Sequence, residues 1–291
     1  MSSDDIPYLP QRPADRVVAF ALALLAPLVI AFVVFHVLWG MLVAGLMFPW
    51  LPARVRDALL RFWSRILLAA MGVRLETRGW PAPSGPEGST GALLLLNHVS
   101  WIDVFVVAAV VPARFVAKRE IRAWPLLGWL SEAVGTLFIE RGRRHAVAHV
   151  NRHVAERLRS GQSVGIFPEG TTTDGTTLLP FHSNLVQSAL LAGAPVVPVA
   201  LQYRQDDEPS VAAAYVGEMS LGESILRILI APRLRVVADF LPPLQIAPGE
   251  TRQAIARQAR QAISAALALP VQEAAGEPLS IGAAEPTSTG G

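Results

Sequence analysis

The chain carries no Asp, Glu, Lys or Arg from Val17 to Ala53, and His36 is the only ionisable side chain in those 37 residues. A single membrane crossing takes about 20 apolar residues, so this stretch is too long for one simple span and short for two. Pro27, Gly40 and Pro49 offer places to bend. A cleaved leader is a poor fit, because the apolar part is too long, Asp4 and Asp5 precede it, and no small-residue cleavage site is evident. The stretch is read as a retained anchor, either one tilted helix with an interfacial piece or a hairpin dipping into one leaflet. Directly after it, Arg54, Arg56, Arg61 and Arg65 interleave with Val55, Leu59, Leu60, Phe62, Trp63, Ile66 and Leu67. That spacing predicts a basic amphipathic helix suited to an anionic cytoplasmic membrane surface.

Beyond the anchor, apolar runs near 72–78, 91–97, 114–118, 136–140, 163–167, 195–203 and 233–240 read as strands. Between them, 121–133, 145–159, 184–191 and 221–229 have helical periodicity, and 251–269 forms a closing amphipathic helix. Gly161 and Gly193 stand where helix C-caps belong. Such alternation predicts an α/β fold with a largely parallel central sheet flanked by helices, behind a hydrophobic membrane-anchoring helical segment. The expected organisation is a flank over 1–16, anchor and amphipathic helix over 17–69, one folded domain over 70–269, and a disordered tail over 270–291. The Pro- and Gly-rich stretch 80–91 reads as a surface loop.

One strand end carries a candidate catalytic pair. Leu93 to Leu96 run into Asn97-His98-Val99-Ser100-Trp101-Ile102-Asp103, a polar cluster where α/β folds place chemistry. With Ser100 as N-cap of the next helix, Asp103 falls in the first turn and can fold back toward His98. Neutral imidazole is suited to removing a hydroxyl proton near pH 7, and a carboxylate on its other nitrogen fixes the tautomer. A histidine beside an aspartate can also be simple capping, so the pair alone does not decide.

Composition narrows the field. Apolar residues make up 52% and charged residues 16%, with a formal net charge of +2, so the balance suits a membrane protein and gives no sign of a nucleic-acid binder. With no cysteine there is no disulfide framework, no cysteine metal site and no enzyme thioester.

Four blocks in order resemble the glycerolipid acyltransferases of the PlsC type, the family of 1-acyl-glycerol-3-phosphate and lysophospholipid acyltransferases. Asn97, His98 and Asp103 match its N-H-x-x-x-x-D block, and Arg141 matches an arginine after an apolar strand. Phe167-Pro168-Glu169-Gly170-Thr171 matches F-P-E-G-T, and Val197-Pro198 matches a closing valine-proline pair. The resemblance implies acyl transfer from acyl-CoA or acyl-carrier protein to a lysolipid hydroxyl in lipid biosynthesis, with 1-acyl-glycerol-3-phosphate as the leading acceptor. It implies His98 as base and Asp103 as its orienting carboxylate, with no metal and no cofactor. Asn97, Arg141, Glu169, Gly170, Thr171 and Thr172 are the expected substrate-binding residues. Arg141 can pair with a phosphate, Glu169 can orient the acceptor or pair with Arg141, and amides near Gly170 and Thr171 can stabilise an oxyanion or hold a head group. The expected place is the inner membrane, with the site facing the cytoplasm. Where many lysophosphatidate-acylating members carry an arginine, this chain has Thr172, which keeps lyso-ornithine lipid open as an alternative acceptor. A non-catalytic lipid-binding protein on the same fold is the alternative of another class.

Other features carry less weight in context. Gly161-Gln162-Ser163-Val164-Gly165 fits G-x-S-x-G, but the serine precedes a strand instead of following one. His145, His149 and His153 line one helix face without carboxylates or cysteines at ligand spacing and read as a solvated or membrane-facing stripe. His182 reads equally as a head-group contact or a plain loop residue, while Trp124, Pro125, Leu127 and Trp129 read as an acyl-chain wall or core.

Overall fold

The computed structural model describes residues 13–79, 91–123, 128–129, 132, 134–139 and 144–270. The expected loop apart from Gly91, the expected tail apart from Pro270, and Arg141 lie outside them. The apolar stretch forms one helix, α1 (Pro13–Met47), which is not interrupted at Pro27 or Gly40 and ends just before Pro49. The hairpin alternative is therefore not what the chain adopts. At 1.5 Å per residue, its 35 residues extend roughly 50 Å, more than the ~30 Å of a hydrocarbon core. Among the described residues it is the one helix long and apolar enough to cross a membrane.

One side of α1 is turned to the protein. Asp15, Ala19, Ala26, Val33, His36 and Ala44 are buried, whereas Phe20, Leu24, Leu28, Phe35, Leu38, Trp39, Leu42 and Leu46 are exposed. The buried positions are mostly small, which lets a neighbouring helix approach closely. The neighbours of α1 are the helix over Leu221–Ile230 and α2 (Ala53–Ala70), the predicted amphipathic helix. A Cβ on Gly40 would lie 2.4 Å from Trp63 Nε1, so only glycine admits the indole there. Trp63 Nε1 donates to the His36 carbonyl at 3.1 Å, and His36 Nε2 donates to the Trp63 carbonyl at 3.0 Å. At the other end, Asp15 pairs with Arg233 at 2.5 Å.

The domain is built on an eight-stranded sheet: β1 (Arg74–Gly79), β2 (Leu93–Leu96), β3 (Arg114–Lys118), β4 (Leu137–Ile139), β5 (Val164–Ile166), β6 (Val196–Gln205), β7 (Glu208–Pro209) and β8 (Arg235–Phe240), in the order β1-β8-β6-β2-β5-β3-β4 with β7 on β6. From β6 to β4 all neighbours are parallel, but β8 runs antiparallel to β6 and carries β1 parallel to itself. The tight turn at Asp206 and Asp207, both with positive φ, returns the chain as β7, antiparallel to β6, and the helix over Leu221–Ile230 then leads into β8.

β2 is paired on both edges by β5 and β6 and covered by helices on both faces, which explains four leucines without a polar break. Leu94 and Leu96 pack with α2 and with α3 (Asp103–Ala108). Leu93 and Leu95 pack with the helices over Arg144–Arg159, Gln187–Ala192 and Arg252–Leu267. Gly193 caps the second of these in the left-handed region, as expected, and Gly161 just beyond the first also has positive φ. Of the predicted helix over 121–133, Ile121 and Arg122 belong to a short helix over Arg119–Arg122 and Gly128, Trp129 and Glu132 are helical, while 124–127, 130, 131 and 133 lie outside the described residues. Trp129 is 45% exposed and lies against Gly45 of α1, so of the two expected places, acyl-chain wall or core, it does not occupy the core.

Gly91 sets the entry to β2. A Cβ there would lie 2.1 Å from the Gln162 carbonyl oxygen, and backbone cannot give way as a side chain can. Gly91→Ala is expected to cost about 3 kcal/mol or more through overpacking, read as a lowered thermal midpoint in detergent. An unchanged midpoint would contradict this packing.

Candidate active site

The site forms where β2 ends. Asn97, expected among the substrate contacts, is only 3% exposed. Its side chain donates to the Leu201 carbonyl at 2.9 Å and accepts from Leu201 N–H at 2.7 Å. It extends the β2–β6 ladder by one rung, so its role is to fasten the strand that delivers His98.

His98 Nδ1 lies 2.9 Å from Asp103 Oδ2. The acceptor is a carboxylate, so neutral imidazole carries its proton on Nδ1 and presents Nε2 as the basic nitrogen. The ring is partly open to solvent, 20% exposed, and stacks on Phe167 with centroids 3.9 Å apart. Phe167 in turn stacks on Phe115. The dyad predicted from the five-residue spacing is thus assembled, though by a different local device. Ser100 is not the N-cap: that position falls on Ile102, with no side-chain cap. Asp103 opens α3 and turns its carboxylate backward, where Oδ2 also accepts from Val99 N–H at 2.8 Å and Ser100 N–H at 2.9 Å. Its own side chain outcompetes Ser100 for ordering the turn.

Glu169 is 4% exposed. Its two oxygens accept from His98 N–H at 2.8 Å and Leu179 N–H at 3.0 Å, which ties the F-P-E-G-T turn to the backbone of the histidine. Arg260 reinforces the same loop by donating to the Leu178 carbonyl. Burial raises the Glu169 carboxyl from 4.5 to about 7, outweighing the two backbone bonds that favour its ionised form. In this geometry Glu169 braces the His98 backbone.

The remaining expected residues are placed as follows. Gly170 N–H donates to the Phe167 carbonyl at 3.1 Å within the turn, so this amide is not available to an oxyanion. Thr171 is exposed beside it. Thr172 donates its hydroxyl to the Tyr215 carbonyl. Arg141 lies outside the described residues. Ser163 precedes β5 and its hydroxyl accepts from Ala92 N–H, so the order needed for a nucleophile elbow is absent at this position. His149 and His153 are exposed neighbours on the Arg144–Arg159 helix, and His182 is exposed in its loop.

Two contributors went unpredicted. Thr173 N–H donates to the His98 carbonyl at 2.8 Å, closing the loop over the histidine from the other side. Tyr203 donates its hydroxyl to Asp103 Oδ1 at 2.6 Å, fully inside the protein. Period-two alternation from Val197 through Val199 and Leu201 places Tyr203 on the face covered by α3, and was the available signal.

Comparison with known proteins bears on the family and the fold. The family model for acyltransferases matches residues 79–202. A lyso-ornithine lipid O-acyltransferase of Pseudomonas aeruginosa is 42% identical over 205 residues, covering 70% of this chain and 76% of that protein. A 1-acyl-sn-glycerol-3-phosphate acyltransferase of Neisseria meningitidis serogroup B is 41% identical over 191 residues, covering 66% and 73%. The crystal structure of the 1-acyl-sn-glycerophosphate acyltransferase PlsC of Thermotoga maritima shares the fold, with a TM-score of 0.61 at 17% identity over 87% of this chain and 96% of that one. The chain belongs to the acyltransferase family and is an enzyme of that class.

The position of Glu169 predicts a pH-dependent stability. The unfolded chain releases this proton near 4.5 and the folded chain near 7, so between them the folded state binds more protons and loses stability as pH rises. Glu169→Gln is expected to flatten the fall in thermal midpoint between pH 5 and 7. It should also cost about 1–3 kcal/mol, because one backbone N–H loses its acceptor. Equal slopes in native and variant protein would show that Glu169 does not titrate in this window.

Proposed function

We propose that the protein transfers a fatty acyl group from acyl-CoA or acyl-carrier protein to the hydroxyl of a lysolipid, with 1-acyl-glycerol-3-phosphate as acceptor and phosphatidate as product. The observation that carries this reading is the His98–Asp103 pair at the end of β2, with Nδ1 engaged and Nε2 left to act. The acceptor hydroxyl gives its proton to Nε2 as its oxygen attacks the thioester carbonyl. The carbon–sulfur bond then breaks, and the thiolate takes the proton back from the imidazolium. Asp103 stabilises that imidazolium throughout. The thiol is already a good leaving group, so no acyl-enzyme is needed, and a chain without cysteine has no thiol to form one as a thioester.

Lyso-ornithine lipid is a second reading with its own support. Thr172 stands where many lysophosphatidate-acylating relatives have arginine, and its hydroxyl is engaged by Tyr215. The relatives at 42% and 41% identity are named for the two different acceptors, so overall similarity favours neither.

Membrane attachment follows from α1, whose outward residues are apolar along its length. The arginines of α2 support a placement at the cytoplasmic face of the inner membrane, where thioester donors are made. A non-catalytic scaffold would need neither the ordered dyad nor an imidazole partly open to solvent.

Product mass spectrometry with both lysolipids and both donor types tests the reading. The native protein is expected to consume thioester and yield phosphatidate, and His98→Ala to lose about 10²–10⁴-fold in kcat. Asp103→Asn should be nearly as damaging through the wrong tautomer. Native-level turnover by His98→Ala would remove histidine as base, and no thioester consumption with any acceptor would favour the scaffold. Product from lyso-ornithine lipid alone would replace the first acceptor with the second.

A further inference from the structure

We infer that Tyr203 is a positioning residue that sets the basicity of the catalytic dyad by donating its hydroxyl to the far oxygen of Asp103.

The two Asp103 oxygens are not equivalent. Oδ2 takes His98 Nδ1 together with the Val99 and Ser100 amides, all between 2.8 and 2.9 Å. Oδ1 takes the Tyr203 hydroxyl at 2.6 Å, a short bond of the kind an ionised acceptor makes. Asp103 is completely inaccessible and Tyr203 is 3% exposed, so no bulk water competes for Oδ1. Burial and the adjacent carboxylate push the Tyr203 phenol well above its ordinary range, which keeps it protonated and a donor.

The residue is fixed from both directions. It lies near the end of β6, paired across the sheet with Val236 of β8, and the same β6 strand is fastened to β2 by Asn97 two residues earlier. Tyr203 and His98 are thus held to one rigid frame, with Asp103 reaching between them from α3. Donation to Oδ1 draws negative charge toward that oxygen and away from Oδ2. Less charge then faces Nδ1, and the imidazolium is held less strongly. The phenol also selects one carboxylate rotamer, in which Oδ2 reaches the ring nitrogen. Among the described residues, the titratable groups facing the dyad are Asp103 on α3, Tyr203 on β6, and Glu169 on the loop after β5, the last through the His98 backbone.

The inference rests on His98 acting as base, and its test separates the two. The measurement is the pH dependence of kcat/KM for acyl transfer, native against Tyr203→Phe, in full-length protein in lipid or detergent. With the donor removed, more charge rests on Oδ2, and the acidic limb is expected to move up by about half to one pH unit. kcat at neutral pH should fall about tenfold, with acceptor KM unchanged because Tyr203 lies behind Asp103. Glu169 titrates in both proteins, so its contribution cancels in the difference. Tyr203→Phe in an Asp103→Asn background should add little further loss, as expected for residues acting through one contact. Should Tyr203→Phe fail to fold, 3,5-difluorotyrosine at 203 gives a stronger donor of nearly the same shape and should move the limb down. An acidic limb that stays in place under either change, with His98→Ala inactive, overturns the role of Tyr203 alone. Activity in His98→Ala overturns both.

Discussion

A single buried carboxylate holds the site together. Asp103 gathers donors from the loop after β2, from His98 and from β6, and it is the one group that touches all three. A carboxylate inside a protein is tolerable only when such bonds replace water, and removing one donor leaves charge uncompensated. The constraint runs both ways. Asp103 orients the imidazole, and the fold around Asp103 must keep four donors on two oxygens. Asn97 serves this indirectly by locking β2 to β6, while Glu169 and Thr173 fix the His98 backbone from opposite sides.

The second organising contact lies between α1 and the domain. The reciprocal His36–Trp63 bonds, the close approach at Gly40 and the Asp15–Arg233 pair fasten the apolar helix along its length. α2 then packs on α3, whose first residue is Asp103. Two helices therefore separate the outward apolar side chains of α1 from the buried Asp103 carboxylate. This short path brings the partly open face of His98 to the same body that carries the apolar belt. It suits a reaction in which the proposed acceptor is itself a membrane lipid.

Much of this was legible in the residues. The unbroken Leu93–Leu96 run announced a doubly covered strand, and the His98–Asp103 spacing announced the dyad. What stayed hidden was carried by backbone or by distance along the chain. Glu169 was visible as a functional position, yet its partners are the amides of His98 and Leu179, which no side-chain pattern encodes. Asn97 looked like a ligand contact for the same reason. Tyr203 is 100 residues from Asp103, and strand alternation gives its face without its partner. Ser100 was misassigned because cap preferences describe isolated helix ends, whereas here the first helical residue supplies the acceptor itself. The reversed β8 could not be inferred from βα alternation, because the β6–β7 hairpin and the helix over Leu221–Ile230 intervene between β6 and β8, and no local residue pattern encodes which way the chain re-enters the sheet.

The central claim is that Asp103 holds neutral His98 in the form protonated on Nδ1, leaving Nε2 basic. The most direct measurement is the pair of ¹⁵N chemical shifts of the His98 ring, assigned by their loss in His98→Ala, recorded above the pH at which the ring is neutral. The account predicts a protonated-type shift for Nδ1 and an unprotonated-type shift for Nε2, with the preference weakened in Asp103→Asn. A native ring protonated on Nε2, or a tautomer unaffected by Asp103→Asn, would contradict it.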